Sequence, residues 1–328
     1  MALSKILPAS QVQYAGARNL IINGAMTVSQ RGVDINSLGE TAYSTDRFRT
    51  RTYGGNGRFD YDQVTDVVPS STFKYAAKYT VSTAATDVGS FGYSVQQVIE
   101  GHNIAQLRIG RSDAKPFTIS FWARSSVSGT YSSGVATASG DISFVTEFTL
   151  VANTWKYISY TVPAYTTSVP TNLNETNGSG LFFTVIGLAS QTSKQTSTLD
   201  AWQSGNFAFS SNQTNFMSAT TRTVHITGVQ MEVGDVATPF EHESYGDTLL
   251  KCQRYFEICG WVPRTDNLLA CVDYKVEKRA QSTIAVVSSD SAGFSVSVNE
   301  LRDSRQGFYQ SANASHTTRV TMSSDAEL

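Results

Sequence analysis

The sequence predicts an all-β protein: a β-sandwich or barrel, then a smaller C-terminal β-domain, with one short helix between them. Three observations predict it. Ser and Thr supply 78 of the 328 residues (41 Ser and 37 Thr), alongside 24 Gly, 15 Tyr and 17 Phe. Strand and turn formers therefore outweigh helix formers. Charged residues reach only 16% while hydrophobic ones make up 40%, enough for a core. Short runs that alternate apolar and polar residues recur between Gly, Ser and Asn turns, which is the period of half-buried strands. The charge balance, 25 Lys+Arg against 27 Asp+Glu for a net −2, excludes a strongly basic nucleic-acid binder, so no nucleic-acid partner is expected.

Residues 1–18 read as a leader. No apolar stretch there is long enough for a secretory signal. The longest apolar run in the chain, Leu181 to Ala189, is about half the length that spans a bilayer, so no membrane insertion is expected. Leu3, Ile6, Leu7, Val12 and Tyr14 are interrupted by Pro8, which favours an extended path. Five apolar side chains are too few to fold alone against roughly 1–2 kcal/mol of backbone entropy per residue. The leader is thus expected to order only against a partner and to serve as an anchor.

Residues 19–245 carry the sandwich. Its first strand is expected at Asn19 to Ile22, followed by the turn Asn23-Gly24. Further strands are expected at Phe73 to Val81, Gly92 to Ile99, Phe117 to Arg124, Thr154 to Val162, Leu181 to Leu188 and Thr223 to Val233. Phe117, Ile119, Phe121 and Ala123 share one face. The Gly54-Gly55-Asn56-Gly57 run reads as a turn, because no helix follows it to cradle a phosphate. Ser125 to Gly140, nearly pure Ser, Gly, Thr and Ala, reads as an exposed loop or hairpin tip. Thr238-Pro239-Phe240 closes the sandwich. Residues 246–328 open with a helical start at Asp247 to Cys252, capped by Asp or Thr. Six short strands follow, within Tyr255 to Val262, Leu268 to Val276, Ser282 to Val287, Gly293 to Val298, Gln306 to Gln310 and Thr317 to Met322. So small a β-domain has little interior, and oligomerisation would add burial.

The scan for chemistry predicts no enzyme and no cofactor. Serine-hydrolase, zinc-protease, P-loop and dinucleotide motifs are lacking. Cys252, Cys259 and Cys271 fit no zinc spacing and read as buried thiols. His225 reads as a partly buried strand residue. Among carboxylates, Asp60, Asp62, Glu100 and Glu147 stand out. Asp60 and Asp62 share one strand face about 6.6 Å apart, a spacing that a glycosidase's carboxylate pair could use but that any solvent-facing strand edge also shows. Trp122 and Trp155 sit in strongly patterned strands and read as core. Trp202, in a loop-like segment, is the candidate for stacking on a sugar ring. Trp202, Asp60 and Asp62 are therefore the candidate carbohydrate contacts, and no residue is assigned a catalytic role.

Several segments carry a resemblance. Asn19-Leu20-Ile21-Ile22-Asn23-Gly24, Gln30-Arg31-Gly32 and Thr45-Asp46-Arg47-Phe48 resemble the opening of bacteriophage tail-fibre and virion-surface proteins. Gln97-Val98-Ile99-Glu100-Gly101 and Thr118-Ile119-Ser120-Phe121-Trp122 look like the same family. So do Gly228 to Gly234, Ala237 to Glu241, Tyr245-Gly246-Asp247 and Leu250 to Phe256. The resemblance spans about residues 19–258. It implies a jelly roll similar to carbohydrate-binding modules, in which the first and last strands pair. Such modules often place a Glu of a calcium site just after the Asn-Gly turn. Here Ala25-Met26-Thr27 follows, so no metal is expected. The resemblance implies a virion protein exposed on the phage particle and made in the host cytoplasm. It would be a tail fibre or receptor-binding protein that attaches to host surface polysaccharide as a homotrimer. The N-terminus would dock on other tail or capsid proteins. A capsid-bound fibre or decoration protein, and a polysaccharide depolymerase, are the alternatives.

Overall fold

The computed structural model describes residues 18–90, 92–261, 269–289, 307–311 and 320–328. The leader positions Leu3, Ile6, Leu7, Val12 and Tyr14, and the strand expected at Gly293 to Val298, lie outside them. In chain order the elements begin with β1 (Asp34–Leu38), β2 (Ala42–Tyr43), β3 (Phe48–Arg51), β4 (Arg58–Val64), β5 (Ala76–Thr83) and β6 (Tyr93–Glu100). A single helical turn, α1 (Gly101–Ile104), precedes β7 (Phe117–Ser125), β8 (Gly129–Thr137), β9 (Ile142–Leu150), β10 (Lys156–Val162) and β11 (Ser179–Ala189). Then come β12 (Gln195–Thr196), β13 (Trp202–Ser204), β14 (Phe209–Ser210), β15 (Thr223–Val233) and the helix α2 (Tyr245–Gln253). The C-terminal strands are β16 (Phe256–Trp261), β17 (Leu269–Asp273), β18 (Thr283–Ser289), β19 (Gly307–Ser311) and β20 (Val320–Asp325).

Two antiparallel sheets form the jelly-roll sandwich. One has the order β1-β4-β5-β15-β7-β10, and the other β13-β9-β8-β11-β6-β3-β2. The core between them comes from the alternation visible in the sequence. Phe117, Ile119, Phe121 and Ala123 of β7 are at most 1% exposed and meet Val95 and Ile99 of β6 and Leu181 and Phe183 of β11 in one cluster. The C-terminal strands form the small sheet β16-β20-β18 and the pair β17-β19.

Two stretches differ from the sequence reading. Asn19 to Ile22 is not a strand: residues 21–25 are bend and turn. The Asn19 side chain bonds the closing strand, accepting from Met231 N at 3.0 Å and donating to Val229 O at 3.1 Å. The chain start thus still joins the closing strand β15, through this side chain and through two backbone bonds, Leu20 N to Met231 O at 2.8 Å and Val229 N to Gly24 O at 3.0 Å. Ser125 to Gly140 is not a loop, since β8 fills most of it and lies buried in mid-sheet. Small side chains are needed there: a Cβ on Gly134 would come within 2.2 Å of the Phe144 carbonyl oxygen. Trp122 and Trp155 are half-buried, with the Trp122 ring tilted against exposed Tyr157 at 5.3 Å, so neither belongs to the central core. The helix α2 is capped by Ser244, whose hydroxyl accepts from Asp247 N, one turn earlier than the expected start.

The C-terminal segment is bonded to the sandwich by buried charge. Arg47, 1% exposed, donates to Val98 O at 2.6 Å, pairs with Glu327, and lies 3.5 Å over the Tyr255 ring. Glu100 is equally buried and takes hydrogen bonds from Arg254 at 2.5 and 2.9 Å and from Tyr255 at 2.6 Å. Burial alone would raise the Glu100 carboxyl, but the Arg254 and Tyr255 hydrogen bonds outweigh it and hold the carboxyl below its ordinary value. Cys252 and Cys259 are buried free thiols, and burial pushes the Cys259 thiol up to about 11.

Arg47→Met should lower stability by roughly 3–5 kcal/mol, because the Glu327 carboxyl is left buried with one partner fewer. Urea unfolding checks it, and a loss below about 1 kcal/mol contradicts this role. His225 supplies a pH dependence. Burial, then the charges of Arg124 and Lys78, lower its imidazole from the ordinary 6.5 to about 4. The unfolded chain then binds the extra proton between those values, so stability falls as pH drops from 6.5 toward 4, by at most about 3 kcal/mol. His225→Phe should flatten that part of the stability–pH curve; an unchanged slope excludes His225 as its source.

Candidate functional site

A groove of about 580 Å³ crosses the face of the seven-stranded sheet that points away from the core. Its floor follows from strand register. Arg49 on β3 lies opposite Gln96 on β6, Gln96 opposite Thr184 on β11, and Thr184 opposite Gly134 on β8. Period-two alternation turns all four away from the core, because their neighbours Val95, Phe183 and Val135 point into it. The row is polar at one end and carries no side chain at the other, where Gly134 lines the groove.

Aromatic rings stand beside this row. Phe182 is half-buried two residues before Thr184, and the Arg49 guanidinium lies 5.6 Å over its ring. Tyr53 takes a hydrogen bond from Gln96 Nε2 at 3.1 Å and has the Arg51 guanidinium 4.7 Å over its ring. The same Gln96 nitrogen donates to Thr184 Oγ1 at 3.2 Å. Gln96 is thus held on two sides, and Tyr53 and Thr184 are fixed by it. The far wall is the segment 191–208, which supplies Gln191, Lys194, Asn206 and Phe207. Rigid strands hold the floor, while loop residues form the walls. The groove is a concave mixture of rings and hydrogen-bonding groups, the general make-up of a small-ligand site.

The residues singled out in the sequence lie elsewhere. Asp60 and Asp62 are on β4, in the opposite sheet. Asp60 accepts from Ser37 N at 2.9 Å, and Asp62 pairs with Lys78 at 2.8 Å. Trp202 is on the edge strand β13, packed against Phe144 and Tyr165, with its indole N–H donated to Pro163 O at 2.6 Å. The structure does not bring Trp202 together with either aspartate. The loop after Trp202 does reach the groove, through Asn206 and Phe207. Glu100 is part of the buried charge network, and Glu147 accepts from Ser210 and Asn212. Reasoning from the sequence missed Arg49, Gln96, Phe182 and Thr184. Alternation gave their faces, but no local signal joins residues that meet only through register.

The motif residues build structure. Asn23 sits at φ 63° and its amide accepts from Thr27 N and Val28 N while donating to Val28 O, Thr45 Oγ1 and Asp46 O. Its oxygen is therefore spent on backbone amides. No group of three or more His, Cys, Asp or Glu among the described residues is placed to hold a metal. Gln97 exchanges two hydrogen bonds with the backbone of Ile22, at 3.0 and 2.9 Å. Gln30 bonds Asp46 and reaches Phe256 O at 2.8 Å. The signature therefore marks a buried junction, distinct from the groove.

No protein-family model matches the chain, and no curated protein matches it in sequence. Solved structures similar to it include a CBM4 domain, at 17% identity and a TM-score of 0.34, covering 65% of this chain and 98% of that one. A putative sugar-binding protein from Bacteroides thetaiotaomicron is 10% identical with a TM-score of 0.35, covering 66% and 100%. An arabinose-bound GH51 α-L-arabinofuranosidase is 11% identical with a TM-score of 0.35; the match covers 63% of this chain but only 28% of that enzyme.

The junction and the groove should separate on mutation. Asn23→Ala should cost roughly 2–4 kcal/mol of stability by stranding buried backbone amides, while Phe182→Ala should leave the melting temperature within about 2 °C. Calorimetry of both variants checks this; a large loss from Phe182→Ala alone would make that ring part of the core.

Proposed function

We propose that this protein binds a glycan in the groove of the seven-stranded sheet, as a receptor-binding component exposed on a bacteriophage virion. The observation that carries the glycan reading is the groove itself. Tyr53, Phe182 and Phe207 offer ring faces beside the hydrogen-bonding groups of Arg49, Gln96, Thr184 and Asn206. Sugar rings present apolar C–H faces edged by hydroxyls, and rings fixed next to polar groups match both. The virion reading is supported by the motif set within residues 19–258. In it the leader, with Leu3, Ile6, Leu7, Val12 and Tyr14, docks on the particle, and several copies, a trimer, add their weak sites together. The action is binding without turnover: among the described residues Glu40 is the one acidic side chain lining the groove, where glycoside cleavage uses a facing pair.

Binding to immobilised bacterial surface polysaccharides tests the reading. The wild type should bind at least one, and Phe182→Ala or Tyr53→Ala should weaken that binding about tenfold, the cost of one ring contact. Binding that survives both substitutions moves the site off the groove. Release of new reducing ends during incubation would replace the binding role with a depolymerase.

A further inference from the structure

The groove's charge runs against that of the chain. The protein carries a net −2. The groove's side chains bring three cations, Arg49, Arg51 and Lys194, against the carboxylate of Glu40; an oxygen of Leu328 already meets Arg49, which leaves Arg51 and Lys194 against Glu40, a surplus of one. Arg51 and Glu40 are paired only at 3.4 Å with both partly exposed, a weak surface contact. Among the described residues Lys194 has no carboxylate partner within ion-pair distance. Arg49 is 6% exposed, and its Nε is buried with no hydrogen-bond partner. Its Nη1 donates to an oxygen of Leu328 at 2.7 Å, so the groove already holds one oxygen acceptor at that end.

Like charges held together in a partly desolvated cleft repel each other. Burial, followed by the charge of Arg51, lowers the Lys194 ammonium below its ordinary value. An anion set between Arg51, which donates to Thr41 Oγ1, and Lys194 would relieve that repulsion and give the Lys194 ammonium a charge-assisted partner. Neutral sugar hydroxyls would leave the surplus uncompensated.

Resting on the glycan reading above, we infer that the groove's ligand is an anionic glycan whose acidic group is received between Arg51 and Lys194. A carboxylate of a uronic acid and a phosphate on a sugar share the required chemistry. The aromatic rings of Tyr53 and Phe182 would take the sugar ring, and the two cations its acidic substituent.

A glycan array carrying neutral, uronic-acid and phosphorylated saccharides tests this. It is followed by titration of the tightest acidic binder and its carboxyl-reduced or dephosphorylated counterpart. The acidic form should bind at least tenfold more tightly than the neutral one, a gap that salt narrows. Lys194→Gln and Arg51→Gln should each remove most of the gap, whereas Lys156→Gln, on an exposed part of β10, should keep it. The uronate and phosphate arms identify the acidic group. Equal binding of neutral and acidic forms, still lost in Phe182→Ala, overturns the charge inference and leaves the glycan reading standing. An acidic preference that survives both Lys194→Gln and Arg51→Gln overturns it too, since the anion then sits elsewhere. Absence of binding to every saccharide sinks both.

Discussion

One buried arginine ties the molecule together. Arg47 lies on the outer face of the seven-stranded sheet, where alternation on β3 leaves Phe48 for the core. A guanidinium at 1% exposure is tolerable only if its donors and its charge are met. Val98 O comes from the neighbouring strand, Glu327 from the last residues of the chain, and the Tyr255 ring from the segment after α2. The sandwich therefore provides the cation and one acceptor, and the C-terminal segment provides the anion and the ring. Glu100 repeats the arrangement with signs reversed, its partners Arg254 and Tyr255 again lying past α2. Each part buries charges whose partners belong to the other.

That constraint explains the distribution of the motifs. Asn19, Asn23, Gln30, Asp46, Arg47, Gln97, Glu100, Arg254 and Tyr255 are far apart in sequence and polar, a pattern that invites a catalytic reading. In the structure nearly every one satisfies a backbone group or a buried charge at the junction. Gln97 closes on Ile22, Asn19 on β15, and Gln30 on Phe256. The groove uses the same outer sheet face a few residues further along β3 and β6. Arg49 and Gln96 are one alternation step from Arg47 and Val98, so the junction fixes the strands on which the groove floor stands.

Much of the fold was legible in the sequence, and the candidate site much less so. The Thr223 to Val233 strand was read with its bounds, and the inward face of β7 residue by residue, because period-two alternation with large apolar side chains is a local signal. Ser125 to Gly140 misled because a strand buried against close backbones needs small residues, and small residues also make loops. Asn19 to Ile22 misled because an apolar run preceded a turn, whereas the segment meets β15 by the Asn19 amide and only isolated backbone bonds. Trp202, Asp60 and Asp62 were chosen for their chemistry, yet the tryptophan is packed against Phe144 and the aspartates lie in the other sheet. The groove row of Arg49, Gln96, Thr184 and Gly134 is assembled from four strands, three of its contacts being set by register alone. Register depends on the whole sheet, and no short window of sequence carries it.

The claim on which the account turns is that the outer face of the seven-stranded sheet, and not the six-stranded sheet, meets the ligand. Backbone amide shifts recorded during titration with a bound saccharide test it directly. The account predicts the largest shifts at Tyr53, Gln96, Phe182, Thr184 and Phe207, with the amides around Asp60 and Asp62 unmoved. Shifts concentrated on β4 and β5, with the groove unchanged, would contradict it.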